Sequence, residues 1–470
     1  MGLSAPAGKR SRSTQPRSVD PLEAETRPGL PARQVAARLL SAVLASRTSL
    51  DALTDRQNGH PDFRRLDPRD QALVKAILAT ALKRHGTLDA ILAERIDKPL
   101  PGNAGLLRNI LHVGMAQILF LDVPDSAAVD LAVTHANLDP RTRRFAALVN
   151  AVLRRVSRER DACLAASRPR LIDMPDWMVE RLLPHYGRER LERMAQAHLN
   201  AAPLDLSARE DPEGWADRLG ARLLPTGTLR LRPGTAGTVA ALPGFEDGAW
   251  WVQDAAARLP ARLFGPVEGL AIADLCAAPG GKTAQLAAAG AHVTAVELSP
   301  NRMRRLQENL DRLKLPVTTL SGDLRRLSFA APFDGVLLDA PCSSTGTIRR
   351  HPDVPYVKSA EEVDKLAAVQ ADLLAHAAGL VRSGGRLVFS NCSIDPAEGE
   401  GVVDAFLAAH DDFQREPVRS DEVPGLEEAI AQNGDLRTTP DMLPDADAGL
   451  AGLDGFYAAR LIKRGNAREG

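Results

Sequence analysis

Asp274-Leu275-Cys276-Ala277-Ala278-Pro279-Gly280-Gly281-Lys282-Thr283 lies between an apolar run, 270–275, and a helix-compatible pattern, 283–289. A strand, a glycine turn and a helix in this order predict a ligand crevice. The glycines lack the Cβ atoms that would hold a ligand off the backbone, and the helix start offers unpaired N–H groups. A phosphate-binding loop requires Gly five positions before Gly281, where this chain has Cys276, and the dinucleotide pattern G-x-G-x-x-G is also missing. Glu297 closes the next apolar run, 293–296, at about the 20-residue distance of a ribose-binding acid. Ribose recognition without a pyrophosphate loop points to S-adenosyl-L-methionine; the alternative is an ordinary βα turn followed by a surface Glu.

The same rhythm continues downstream. Apolar strands at 317–320, 335–338 and 386–390 alternate with helical patterns, and 455–461 reads as a closing strand. This predicts an α/β, Rossmann-like domain over 263–465, a parallel sheet covered on both faces, with its site at the C-terminal ends of the strands. Asp274 and its turn, Glu297, Asp323, Asp339, Cys342 and Cys392 all fall at those ends. Between Asp411 and Asp454 an acidic excursion containing Pro and Gly is expected to be partly mobile.

With 470 residues, 44% hydrophobic and 25% charged, the chain has room for two or three globular domains. No run approaches the roughly 18 apolar residues of a membrane helix, and no charged-then-apolar leader opens the sequence. A cytoplasmic protein without a membrane partner is expected. Residues 1–32, rich in Ser, Pro, Arg and Gly, read as a disordered basic tail. From 33 to 165 the apolar spacing is helical throughout, as in Phe145, Leu148, Val149, Val152 and Val156. Asp67 caps one helix there, Pro68 suits its first position, Asp70 favours its positive end and Gly86 marks its stop. Residues 172–262 mix helices (177–186 and 188–200) with strands (204–208 and 228–231), a small α+β segment. The neighbouring Trp250 and Trp251 either pack or stack on bases.

The net charge of −1 averages an uneven distribution. Arg141, Arg143, Arg144, Arg154, Arg155, Arg158, Arg160, Arg168 and Arg170 crowd one region, either a solvated face or a band that attracts a phosphate backbone. Cys163, Cys276, Cys342 and Cys392 show neither C-x-x-C pairing nor histidines at ligand spacing, so no metal is expected. Cys342, in Asp339-Ala340-Pro341-Cys342-Ser343, and Cys392, in Ser390-Asn391-Cys392-Ser393, each follow a strand and can reach one crevice. Two thiols beside a methyl donor suggest pyrimidine C5 methylation: a thiolate adding at C6 makes C5 nucleophilic, and a second base removes the C5 proton. Spacing alone does not rank the two thiols. A free thiol titrates at about 8.5, so the attacking one needs a nearby cation, for which Lys282 is the candidate. Asp339 is placed to hold cytosine's exocyclic amine and protonated N3.

The motifs at 274–283, Glu297, Asp323, Asp339 to Ser343, Arg349-Arg350-His351-Pro352, Asn391-Cys392-Ser393-Ile394 and Gly455-Phe456 closely resemble those of the Sun (NSUN) RNA cytosine-C5 methyltransferases. Leu66-Asp67-Pro68-Arg69-Asp70 and the 143–155 helix resemble the NusB fold, a helical RNA-binding bundle. The resemblance implies that Cys276, Ala277, Ala278, Pro279, Gly280, Gly281 and Lys282 line the donor site, that Glu297 holds the ribose, that Asp323 meets the adenine, and that Asp339 lies beside donor and cytosine. It implies Cys392 as nucleophile and Cys342 as the residue promoting product release. Joined to a NusB-like front, the arrangement is similar to that of the family's bacterial 16S rRNA enzymes, so 16S rRNA is the expected partner and a monomer the expected state. The same chemistry on tRNA or 23S rRNA, and a non-catalytic RNA-binding assembly factor, are the alternatives. Two departures stand out: Asn391 where the family usually has Thr, and Glu398-Gly399-Glu400 where it has E-N-E.

Overall fold

The computed structural model describes residues 27–55, 57–166, 168–235 and 237–465; positions 1–26 of the expected tail lie outside the described residues. Two compact units emerge. One comprises the described residues up to Ser41 with 53–78 and 88–166; the other comprises 42–52, 79–87 and 168–465.

The first unit is helical. Leu30 opens the helix Leu30–Ser46 within the stretch expected as tail, and its fully buried side chain offsets the entropy of ordering there. Asp67 caps Pro68–Lys83 as its sequence predicts, with Oδ1 accepting from the Asp70 N–H at 2.8 Å. Gly86 is not the stop. The helix ends at Lys83 and the next, His85–Ala93, starts at once; there, within the second unit, glycine is needed at 86 because a Cβ would fall 1.8 Å from the Ile172 carbonyl oxygen. Gly105–Phe120 is buried along most of its length, and Gly114 lets Ala146–Arg158 approach it, since a Cβ there would meet Leu153 Cδ1 at 2.6 Å. Val149, Val152, Leu153 and Val156 bury one face of Ala146–Arg158, which leaves Arg154, Arg155 and Arg158 exposed on the other.

In the second unit the two helices expected at 177–200 form Asp176–Leu199, broken at Gly187, whose φ of 70° is non-helical. Four antiparallel strands follow, β1 (Leu204–Ala208), β2 (Arg222–Leu223), β3 (Thr228–Leu231) and β4 (Trp250–Val252), in the order β2-β3-β1-β4. Trp250 and Trp251 are both buried on β4, so packing is their role.

The larger sheet contains β5 (Ala271–Leu275), β6 (His292–Glu297), β7 (Thr318–Ser321), β8 (Phe333–Asp339), β9 (Val381–Asn391), β10 (Phe413–Arg415) and β12 (Phe456–Lys463), in the order β10-β12-β9-β8-β5-β6-β7; β11 (Leu436–Thr438) pairs with β12. From β7 to β9 the pairing is parallel, as the βα rhythm requires, whereas β12 and β10 add antiparallel. Alternate residues serve the two faces. Val336, Leu338, Leu387 and Phe389 pack with Leu374 and Ala377 of the helix Ala360–Gly379, while Ile272, Leu337 and Val388 pack with Leu259, Phe264 and Leu286 on the other side. Each such buried aliphatic or aromatic side chain stabilises the fold by roughly 1.5–3 kcal/mol. Strand order reverses between β5 and β8, and their C-terminal ends open the crevice that such a reversal leaves.

The acidic stretch 411–454 is pinned rather than loose. Asp435 pairs with Arg415, Asp441 with Arg193, and Asp454 with Arg349 and Arg350. Among the described residues no helix is long and apolar enough to cross a membrane, and no group of His, Cys, Asp and Glu is arranged to hold a metal.

Candidate active site

At the end of β5 the chain turns through Cys276 (φ 60°) and Gly280 (φ 99°) into the helix Gly281–Ala288, whose start carries no side-chain cap. A non-glycine residue in the left-handed region is uncommon, and such strain concentrates at ligand sites. Glu297, ending β6, is buried; its Oε2 accepts from the Ala278 N–H at 3.3 Å and its Oε1 from the Ser299 N–H at 3.0 Å. Asp323, after β7, accepts from the backbone and guanidinium of Arg325, which hold its carboxyl down at about 2. With Cys276, Ala278, Pro279 and Asp339 these acids line a cleft of about 830 Å³.

Burial, reinforced by Glu297 and Asp339, pushes the Cys276 thiol up to about 12, so it stays protonated and serves the turn by its shape. Asp274 lies beneath. Its Oδ2 accepts from the Thr283 hydroxyl at 2.5 Å, its buried Oδ1 has no hydrogen-bond partner, and burial raises its carboxyl to about 7.

Asp339 ends β8 and faces the same cleft. Its Oδ2 accepts from Lys282 Nζ at 2.8 Å and its Oδ1 from the Ser390 hydroxyl at 2.9 Å. Lys282 Nζ also sits 4.8 Å from the Phe456 ring centre, so the ammonium is held between a carboxylate and an aromatic face. The contact that orients Lys282 is with Asp339 rather than with a thiol.

Cys342 and Cys392 meet at the cleft, their Sγ atoms 3.4 Å apart, with Ser344 Oγ 3.5 Å from Cys392 Sγ. The pair is asymmetric. Cys392 is lowered, chiefly by the hydrogen bond from Cys342 and next by Ser344, with Lys282 a lesser aid; Cys342 is raised, by the same hydrogen bond, by burial and by negative neighbours including Glu398. Of the two, Cys392 is the thiol more readily deprotonated and Cys342 the one that holds its proton more tightly.

The Arg-Arg-His-Pro motif divides between two tasks. Arg349 and Arg350 are paired with buried Asp254 and Asp454, while His351 lines the cleft with Nδ1 3.3 Å from Asp51, whose carboxylate raises its basicity. Sequence reasoning assigned no role to Ser344, Gln370 or Glu398, which surround the thiols. Only Glu398 carried a signal, as part of a motif that departs from the family pattern.

The family model for 16S rRNA methyltransferase RsmB/F matches residues 261–462, and that for the NusB family matches residues 30–158. A Ribosomal RNA small subunit methyltransferase B of Xylella fastidiosa is 36% identical over 448 residues, covering 93% of this chain and 98% of its own length. The protein of the same name from Vibrio vulnificus is 34% identical, covering 92% and 99%. The chain belongs to the RsmB/F methyltransferase family. The crystal structure of PH0851 shares its fold with a TM-score of 0.66 at 23% identity, covering 96% of this chain and 100% of that one. A methyltransferase homolog from Pyrococcus horikoshii shares the fold over 63% of this chain and 97% of its own, with a TM-score of 0.51 at 24% identity.

Family membership makes this an S-adenosyl-L-methionine-dependent RNA methyltransferase, and the residues lining the cleft fit such a donor. Carboxylates at two neighbouring strand ends suit a ribose and an adenine amine, the uncapped helix start suits a carboxylate, and the cleft volume accommodates a nucleoside.

Proposed function

We propose that this chain methylates C5 of a cytosine in 16S rRNA through a covalent adduct between Cys392 and C6. The observation that carries the reading is the contact of two unequal thiols, 3.4 Å apart, in the lining of the cleft. When bound, S-adenosyl-L-methionine supplies an electrophilic methyl group; Glu297, Asp323 and the 276–282 turn are the residues to hold it. Cys392, the more acidic thiol, adds to C6 as a thiolate, which turns C5 into an enamine-like nucleophile. Asp339, fixed by Lys282 and Ser390, keeps the carboxylate geometry needed to accept from the cytosine amine and N3–H, a pairing uracil does not offer.

After transfer, Cys342 removes the proton from C5 and the Cys392–C6 bond breaks, restoring the aromatic ring. Its high proton affinity suits a base, and the proton it shares in the resting pair passes to solvent through the cleft once Cys392 is bonded to carbon. The names of the relatives support rRNA as the substrate, and the exposed arginines of Ala146–Arg158 supply a face for its backbone. The cytoplasm is the compartment such a substrate implies. The test is isolation of a denaturant-resistant protein–RNA complex from Cys342→Ala, with the site of methylation mapped at nucleotide resolution. A methyl group on any atom other than cytosine C5 overturns the reading.

A further inference from the structure

Behind the thiols lies a buried acid with no part in the chemistry above. Glu398 has no solvent exposure, its carboxylate takes donors from Ser343 and Gln370, and its carbonyl takes one from Asn391. Its Oε1 accepts from the Ser343 N–H at 2.8 Å and from Gln370 Nε2 at 2.9 Å; its Oε2 accepts from the Ser343 hydroxyl, whose oxygen lies 3.3 Å from the Ser393 hydroxyl. Ser343 follows Cys342 and Ser393 follows Cys392. We propose that Glu398 is a positioning residue for the thiol pair: its carboxylate fixes the turn after Cys342 and, through the Ser343 hydroxyl, the turn after Cys392, and so sets the contact between the two sulfurs.

Each neighbour of a cysteine is held by the same cluster. Gln370 Nε2 also donates to the Pro341 carbonyl at 2.9 Å, just before Cys342. Asn391 Nδ2 donates to the Glu398 carbonyl at 2.5 Å while its Oδ1 accepts from the Ser393 N–H at 3.0 Å, which brackets Cys392. The departure from Thr at 391 thus supplies both a donor and an acceptor to this cluster. A carboxylate is the side chain that accepts from all these donors at once, having about four lone-pair directions and no proton of its own. An amide in its place turns an NH₂ toward a donor and leaves one buried group unsatisfied. The carboxylate's charge has a second effect, since it favours the protonated form of Cys342 and thereby leaves Cys392 the acceptor in the pair.

The inference rests on the reading of Cys342 and Cys392 as the reacting pair, but its test does not require methyl transfer. Diamide oxidises two adjacent thiols to a disulfide, taking up their two electrons and two protons to become a hydrazine. In the full chain, the rate of Cys342–Cys392 cross-linking reads the sulfur geometry, and the pH dependence of Cys392 alkylation by iodoacetamide reads the proton; both are resolved by peptide mass spectrometry. For Glu398→Gln the expected results are cross-linking slowed roughly tenfold and an alkylation midpoint higher by about one pH unit. The expected kinetic change is a fall in kcat with the KM for RNA within about threefold of wild type. Gln370→Ala, which removes the tether to Pro341, is the second variant and carries the test if Glu398→Gln does not fold. A folded variant whose cross-linking rate and alkylation midpoint equal those of wild type overturns the proposal. Absence of methyl transfer in the wild type refutes the proposed function while leaving this result readable.

Discussion

Replacing Gly399 by Ala places a Cβ 2.3 Å from Arg437 Nη2 and 2.9 Å from Tyr457 Cγ, closer than real Cβ contacts. Tyr457 cannot step aside, and Arg437 moves only by disturbing its partners. Tyr457 is fully buried in β12 with its hydroxyl donating to Asp435, and Arg437 grips the Glu400 carboxylate while donating to the Ser393 carbonyl, one residue beyond Cys392. Overpacking costs about 1–3 kcal/mol, and breaking a buried ion pair about 3–5 kcal/mol. Glu400 retains 19% of its side-chain exposure and can follow a displaced arginine, so the lower range applies, and we expect a loss of about 2–3 kcal/mol. An unfolding entropy of about 2 cal/mol/K per residue over a unit this large makes that a drop of roughly 3–5 °C in melting temperature. The loss of the Ser393 tether should reduce methyl transfer, while donor binding at Glu297 stays intact. Calorimetry and a donor-binding isotherm on the same preparation measure both. A Gly399→Ala variant melting within about one degree of wild type refutes the reasoning. The same geometry accounts for glycine where the family usually carries Asn: here Arg437 occupies the space that side chain needs.

Asp274→Asn tests the buried acid under the donor turn. Its folded carboxyl is raised to about 7 from 3.8, so the native state holds a proton that the unfolded chain has released, and stability falls as pH rises through that window. The slope approaches about 1.4 kcal/mol per pH unit, and melts of the Asn variant at about pH 5 and about pH 8 should show it largely removed; unchanged slopes contradict this. Glu297→Gln should raise the donor dissociation constant by roughly tenfold or more while leaving RNA affinity unchanged, and a donor isotherm matching wild type counts against the ribose role. Arg144→Glu with Arg158→Glu should weaken RNA binding without base preference and flatten its salt dependence by about 0.7–0.9 per lost phosphate contact; an unaltered salt slope removes the arginine face from the interface.

Much of the catalytic domain is readable from spacing because a buried parallel strand needs a continuous apolar run and a ligand turn needs glycine. The runs at 270–275, 293–296 and 386–390 each lie within or beside an observed strand, and the marked acids and thiols stand at their C-terminal ends. What escaped prediction depends on partners far along the chain. The requirement for Gly86 comes from Ile172, and the order of the acidic stretch comes from arginines such as Arg193 and Arg349, which no local pattern couples to Asp441 or Asp454. The short strands β2 and β4 carry too few residues to show alternation. Lys282 was legible as a cation near the site, but only three-dimensional contact assigns it to Asp339. The ranking of two adjacent thiols likewise depends on which one receives the hydrogen bond.

The most direct measurement mixes tritium-labelled S-adenosyl-L-methionine and unmethylated small-subunit RNA with wild type, Cys342→Ala and Cys392→Ala, and follows both methyl transfer and denaturant-resistant adduct. The expected results are turnover by wild type, accumulated methylated adduct for Cys342→Ala, and neither product nor adduct for Cys392→Ala. Adduct accumulating in Cys392→Ala, with none in Cys342→Ala, would contradict the assignment of the two thiols.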